Sequence, residues 1–289
     1  MNPEVRPSDA ESFAGRLKAI FDNPALSSEE RMKQANQVMD EWNAPALKIE
    51  SFKDDFSSLK KKDEDPDAKI GQYAQKLDAL KNVIGEEDFQ EHVWACETDY
   101  GEIWHRLGSM TQSLIATASV LFDQMSSGFG ELDFSPIVIE FCRAFENEMK
   151  GKLFDGFVKQ EKTSPLLNEK KNDGAFPSKD DKILFRAIEQ DIQEGAFFLS
   201  LGEMVNLLKG MLVSRGQTYL LNDLKPYLEQ SGWYVAGLCT DEFIRESKKY
   251  TFDYRNSSAH PHILGRGVAE SCQKDTKSEI DYLLRQKQG

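Results

Sequence analysis

The sequence predicts an all-α protein, and three observations carry the expectation. Apolar residues recur at three- and four-residue spacing, as in Phe13, Leu17, Ile20 and Phe21 or Leu114, Ala118 and Leu121. No strand-like alternation runs through the first 125 residues. Helix-start residues stand directly before periodic runs, Ser135-Pro136 and Thr240 among them. A chain of 289 residues can bury a substantial core. Two units are expected: an acidic helical domain over residues 1–130 and a helical bundle over residues 131–289.

Taken in order, Asp9 or Ser12 can cap the first helix, whose apolar stripe begins at Phe13. Between Ser51 and Lys69 a mixed-charge tract broken by Pro66 reads as an exposed loop or a solvated helix end. A helix is expected from about Tyr100 to Met125, with Trp104, Leu107, Leu114, Ala118 and Leu121 on one face. Ser126-Ser-Gly-Phe-Gly130 ends it. Ser135 offers a hydroxyl to uncapped amides and Pro136 suits a first turn, so a helix should carry Ile137, Phe141, Ala144, Phe145 and Glu148 on to Phe157.

Residues Lys159 to Lys182 hold Ser-Pro, Asn-Asp-Gly and Phe-Pro-Ser and read as a mobile connection. Helical patterning resumes from Ile183 to Leu208, with a fresh start at Leu201-Gly-Glu. The run Leu220 to Leu228 is expected to break at Pro226. Thr240 should cap a helix reaching Tyr254, with Asp241 and Glu242 at its positive end. Phe243, Tyr250 and Tyr254 share a face that should turn inward.

Charge divides unevenly. The net charge is −13. Residues 1–130 hold 14 Lys and Arg against 24 Asp and Glu, which leaves only −3 for the remainder. From Phe243 to Arg266 the balance turns basic, with Lys248, Lys249 and Arg255 in the run. No apolar stretch reaches the roughly 18 residues that span a bilayer, and the first residues lack an apolar signal core, so a cytoplasmic location without membrane attachment is expected. Cys96, Cys142, Cys239 and Cys272 stand far apart, which predicts reduced core thiols rather than a disulfide framework or a zinc ribbon.

Chemistry concentrates in Tyr254-Arg-Asn-Ser-Ser-Ala-His-Pro261. Arg255 supplies a permanent planar fork of donors suited to phosphate, and His260 an imidazole that titrates near neutrality. This Arg-x-x-x-x-His spacing occurs once in the chain. Pro261 cannot donate the helical amide bond, so the helix should kink or stop beside His260. Asn256, four residues before His260, would share its helix face and can orient one ring nitrogen.

The segment resembles the signature of HEPN domains, in which Asn often follows the Arg and small residues precede the His. Arg255, Asn256, Ala259, His260 and Pro261 fit that pattern. The helices around Ile137–Glu146 and Leu201–Leu208 agree in order, and the likeness covers about residues 131–289. It implies a HEPN-like bundle acting as a metal-independent endoribonuclease of toxin or defence type, with no cofactor. His260 would act as general base or acid while Arg255 steadies charge on the phosphorane. The resemblance further implies a homodimer whose two motifs meet in one cleft, and a supporting role for Glu146, which would hold Arg255. Lys248 and Lys249 are candidate RNA contacts.

In the ribonuclease reading the acidic N-terminal residues would serve as a sensor, a docking surface or a brake; the alternative is a non-catalytic HEPN module that binds a nucleotide, RNA or a protein partner. Glu102 and His105 have the spacing of a di-iron helix but lack a second copy. His260 and His262 with Cys239 or Cys272 lack the fixed local spacing of a zinc site. No Gly-rich phosphate loop with Lys-Ser/Thr is present.

Overall fold

The computed structural model describes residues 86–126, 133–164, 178–213, 220–259 and 263–288, with isolated helical positions at 20, 30, 33, 34, 72 and 75. The fold is all-α: among the described residues, the only β pairing is an isolated bridge between Trp233 and Lys287. The main helices are α1 (Glu86–Tyr100), α2 (Ser109–Ser126), α3 (Ser135–Met149), α4 (Asp155–Glu161), α5 (Lys179–Glu194), α6 (Leu201–Val213), α7 (Leu220–Gln230), α8 (Val235–Leu238), α9 (Asp241–Tyr250), α10 (Ser257–Ala259) and α11 (Arg266–Arg285). π-helical turns at Lys150–Phe154 and Thr251–Asn256 join α3 to α4 and α9 to α10.

α3 is the axis of the molecule. Ile137, Val138, Ile139, Phe141, Cys142, Ala144, Phe145 and Met149 are all buried, so apolar side chains surround it rather than forming one stripe. α2 and α11 pack on it, and α1 packs on α2. α11 contributes Ala269, Cys272, Thr276, Ile280 and Leu283, spaced by three and four residues, to the seam. One continuous apolar core runs from Cys96 to Leu284. The expected 1–130 unit lies mostly outside the described residues, and its described part, residues 86–126, shares this core with residues 133–288. The expected first helix and the mixed-charge tract likewise lie outside, apart from helical Ile20.

Several local expectations change in the structure. The helix foreseen over Tyr100–Met125 is two pieces: Gly101 takes φ +57°, a 3₁₀ turn spans Gly101–Arg106, and α2 restarts at Ser109. The stripe survives, with Trp104, Leu107, Leu114, Ala118 and Leu121 buried. Ser135 does not cap α3. Instead its hydroxyl and amide donate to Asp133, which also accepts from the Leu264 amide. α7 continues through Pro226, whose ring lies on the exposed face while Leu220, Leu221, Leu224 and Leu228 hold the helix to the core. The presumed mobile connection is shorter than Lys159–Lys182, since α4 includes Lys159 and α5 begins at Lys179 behind its Ser178 cap. α5 then ends on Gly195 at φ +71°, the left-handed stop a Cβ disfavours.

Helix starts are anchored from afar. Glu148 accepts from the Gly108 amide before α2, Glu146 from the Leu201 amide of α6, and Asp181 from the Leu221 amide of α7. Each carboxylate lies about forty or more positions from its amide along the chain and meets the positive end of another helix.

Candidate functional site

α9 begins as its sequence dictates. Thr240 Oγ1 accepts from the Phe243 amide at 3.2 Å, and Asp241 and Glu242 occupy the first turn. Phe243 and Tyr250 are buried and Tyr254 is half-buried, so the expected inward face holds. Tyr250 packs edge-on against Phe145 and Tyr254, which locks α9 to α3. The α-helix does not reach Tyr254, however. It widens at Thr251 into the π turn that carries Arg255 and Asn256. Hydroxyls bond carbonyls around this turn: Thr251 to Ser247, Ser257 to Phe252 and Ser258 to Arg255, each at 2.8–2.9 Å. Sequence periodicity gives no sign of such a turn, which often marks functional segments.

Arg255 is buried, its side chain only 5% exposed. Its Nε donates to Glu146 Oε2 at 2.9 Å. The same oxygen accepts from the Leu201 amide at 2.9 Å, so one carboxylate fastens the π turn and the start of α6 to α3. Such a charge-assisted bond fixes the plane of the guanidinium. Asn256 is half-buried on the same turn, while Lys248 is half-buried and Lys249 exposed one turn or more before it. Lys249 Nζ lies 4.0 Å from Glu246. Arg255, Glu146 and Asn256 are thus brought to one helix junction, and the two lysines lie up the same helix. His260, Pro261 and His262 lie outside the described residues, as does the side chain of Ala259.

The surrounding core is thiol- and phenol-rich. Tyr250 Oη lies 2.7 Å from Thr276 Oγ1 and 3.6 Å from Cys272 Sγ. Burial pushes the Cys142 thiol well above its ordinary value, and the neighbouring Cys272 adds to the rise while Arg255 opposes it. Burial pushes Cys96 and Cys239 up to about 11. All four cysteines are buried and free, as their spacing predicts for core thiols. Among the described residues no His, Cys, Asp and Glu side chains cluster as a metal would need. No described helix is long and apolar enough to cross a membrane. His105 faces Glu97 at 3.6 Å on the 3₁₀ turn, a surface pair rather than part of a buried di-iron set.

A second ionisable group escaped the sequence reading. Glu279 on α11 accepts from the Ser247 hydroxyl of α9 at 3.2 Å. Burial, with Glu246 and Asp275 nearby, pushes its carboxyl up to about 7. Thirty-two residues separate the bonded pair, and no local spacing announces it. Compared with family models, with curated proteins and with solved structures, the chain finds no match.

Proposed function

We propose that the chain is a metal-independent endoribonuclease of HEPN type. The observation that supports this reading is the Glu146–Arg255 pair. The acidic residue of one motif helix and the cation of the Arg-x-x-x-x-His segment, 109 positions apart, meet at 2.9 Å. In this reading RNA supplies its own nucleophile. His260 takes the proton of a ribose 2′-hydroxyl, the oxygen attacks the adjacent phosphorus, and the 5′-oxygen leaves with a proton. Arg255, its plane set by Glu146, stabilises the charge that gathers on the phosphorane. Because one imidazole does not serve both proton transfers at once, a two-fold dimer would bring a second His260 to the same phosphate. Lys248 and Lys249 would follow the RNA backbone, and the acidic N-terminal residues would act as a brake or docking surface for a regulatory protein. A toxin-like or defence role in the cytoplasm follows from such an activity.

One observation favours a second reading, a non-catalytic binding module. A guanidinium only 5% exposed and bonded to Glu146 suits an internal clamp as well as a phosphate contact. RNA incubated in EDTA with the wild type and with His260→Ala separates the two. Cleavage leaving 2′,3′-cyclic phosphate ends, lost by about 10²-fold or more in the variant, is the expected result. Equal cleavage by both proteins removes His260 from the mechanism. No cleavage by either, with RNA still bound, leaves the module.

A further inference from the structure

The helix that leads into Arg255 has another face, turned toward α11. Between the two lies a cavity of about 210 Å³, lined by Glu246, Lys249, Tyr254, Asp275 and Glu279 among others. Three carboxylates therefore surround a space with one ammonium on its wall. That ammonium is largely solvated, its side chain 62% exposed, and it lies beside Glu246, to which Arg245 Nε also donates at 3.1 Å. Asp275 accepts from the Tyr254 hydroxyl at 2.7 Å. Glu279 has the Ser247 hydroxyl at 3.2 Å, and among the described residues no lysine or arginine bonds it.

Two further lysines stand on these helices, Lys274 exposed on α11 beside Asp275 and Lys248 half-buried on α9. Asp253, on the π turn, adds a further negative charge near Tyr254. Along α11, Lys277 is committed to Asp99 at 2.8 Å and Arg285 to Asp281 at 2.6 Å. α3 meets α11 on its Cys272 side, through the Val138 carbonyl and the neutral Cys142 thiol. The 3₁₀ turn offers Arg106 to the Leu284 carbonyl. A partly buried carboxylate facing two others, with one hydroxyl as donor, is relieved most directly by taking up a proton.

We infer that Glu279 is a proton-operated latch between the helix bearing Arg255 and the C-terminal helix. Protonated, it removes one of three like charges, keeps the Ser247 bond and gains a donor toward the facing carboxylates, so the seam closes. Ionised, it repels Glu246 and Asp275, and the seam loosens. The raised carboxyl fixes the direction. Between its ordinary value of 4.5 and about 7 the folded chain holds a proton that the unfolded chain has released, so stability falls as pH rises through that window and levels off above it. α9 continues directly into the π turn, so loosening the seam loosens the segment that presents Arg255. This inference does not depend on whether the motif cleaves RNA.

Thermal unfolding of the full chain from pH 5.5 to 8.5, wild type against Glu279→Gln, tests it. Glutamine mimics the protonated carboxyl. The gap in Tm in favour of the variant should widen by about 4 °C across that range. Amide exchange over residues 247–256 at pH 8.5, compared at equal intrinsic rates, should be slower in the variant. Parallel Tm profiles would overturn the latch. If Glu279→Gln does not fold, Glu246→Gln serves instead. Removing one facing charge should lower the pH at which the Glu279 side-chain carbonyl carbon titrates by NMR, and an unmoved midpoint, or one already near 4.5 in the wild type, overturns the proposal as surely.

Discussion

The two faces of the helix running from Asp241 through Asn256 handle charge in opposite ways. On one, Arg255 and Glu146 bring opposite charges together at 2.9 Å, and the Leu201 backbone amide donates a further bond to the same oxygen. On the other, Glu246, Asp275 and Glu279 crowd around a cavity. The contrast shows two solutions to one difficulty, since ions removed from water need either a partner or neutralisation. The first is independent of pH near neutrality, because guanidinium does not titrate there. The second is the one we propose to respond to pH.

The strongest way to break the contrast is to remove one partner of the buried pair. Glu146→Ala should cost about 4 kcal/mol in urea unfolding, because it takes one shared acceptor away from both a buried cation and the Leu201 amide. Arg255→Ala should cost about 3 kcal/mol, somewhat less, since the carboxylate keeps its amide bond. The double variant Glu146→Ala with Arg255→Ala should lose less than the two single losses combined. Additive losses would show that the pair is not coupled. Next in size and opposite in sign, Glu279→Gln should stabilise the protein by roughly 2 kcal/mol at pH 8.5, with the gain shrinking toward pH 5. The same urea series at two pH values reads both effects.

Thr240→Ala sharpens the comparison by disturbing both faces through their common start. It should cost about 1 kcal/mol at any pH, because the Phe243 amide loses its cap and Tyr282 loses a hydroxyl neighbour. Lys249→Gln marks the lower bound. The side chain is 62% exposed and its nearest carboxylate lies 4.0 Å away, so unfolding should change by less than about 0.5 kcal/mol. Under the proposed function the same variant should bind RNA more weakly, with a shallower dependence on salt.

What the sequence disclosed follows from how local each determinant is. Thr240 as a cap and the inward face of Phe243, Tyr250 and Tyr254 depend on a few neighbouring residues, and they are present as read. The contact between Glu146 and Arg255 was legible only through the HEPN likeness, because nothing in composition joins residues 109 apart. Ser135 misled because its role is ordinarily local, whereas Asp133 here gathers the Ser135 and Leu264 amides together. Pro226 misled for the converse reason: tertiary packing of the leucines outweighs one missing amide bond. The π turn and the Glu279 seam had no local signal, since each arises from how separate helices are fitted side by side.

The distant anchoring of helix starts has a consequence for how the chain comes together. Carboxylates from α3 and α5 complete the first turns of α2, α6 and α7, and they reach those turns only when the helices are already docked. An excised peptide covering any one of these helices would lack its terminal acceptor and should be largely unstructured in water. Assembly is therefore expected to be cooperative rather than stepwise, and a substitution at Glu146, Glu148 or Asp181 should register as accelerated unravelling of a neighbour instead of damage to the helix that carries it.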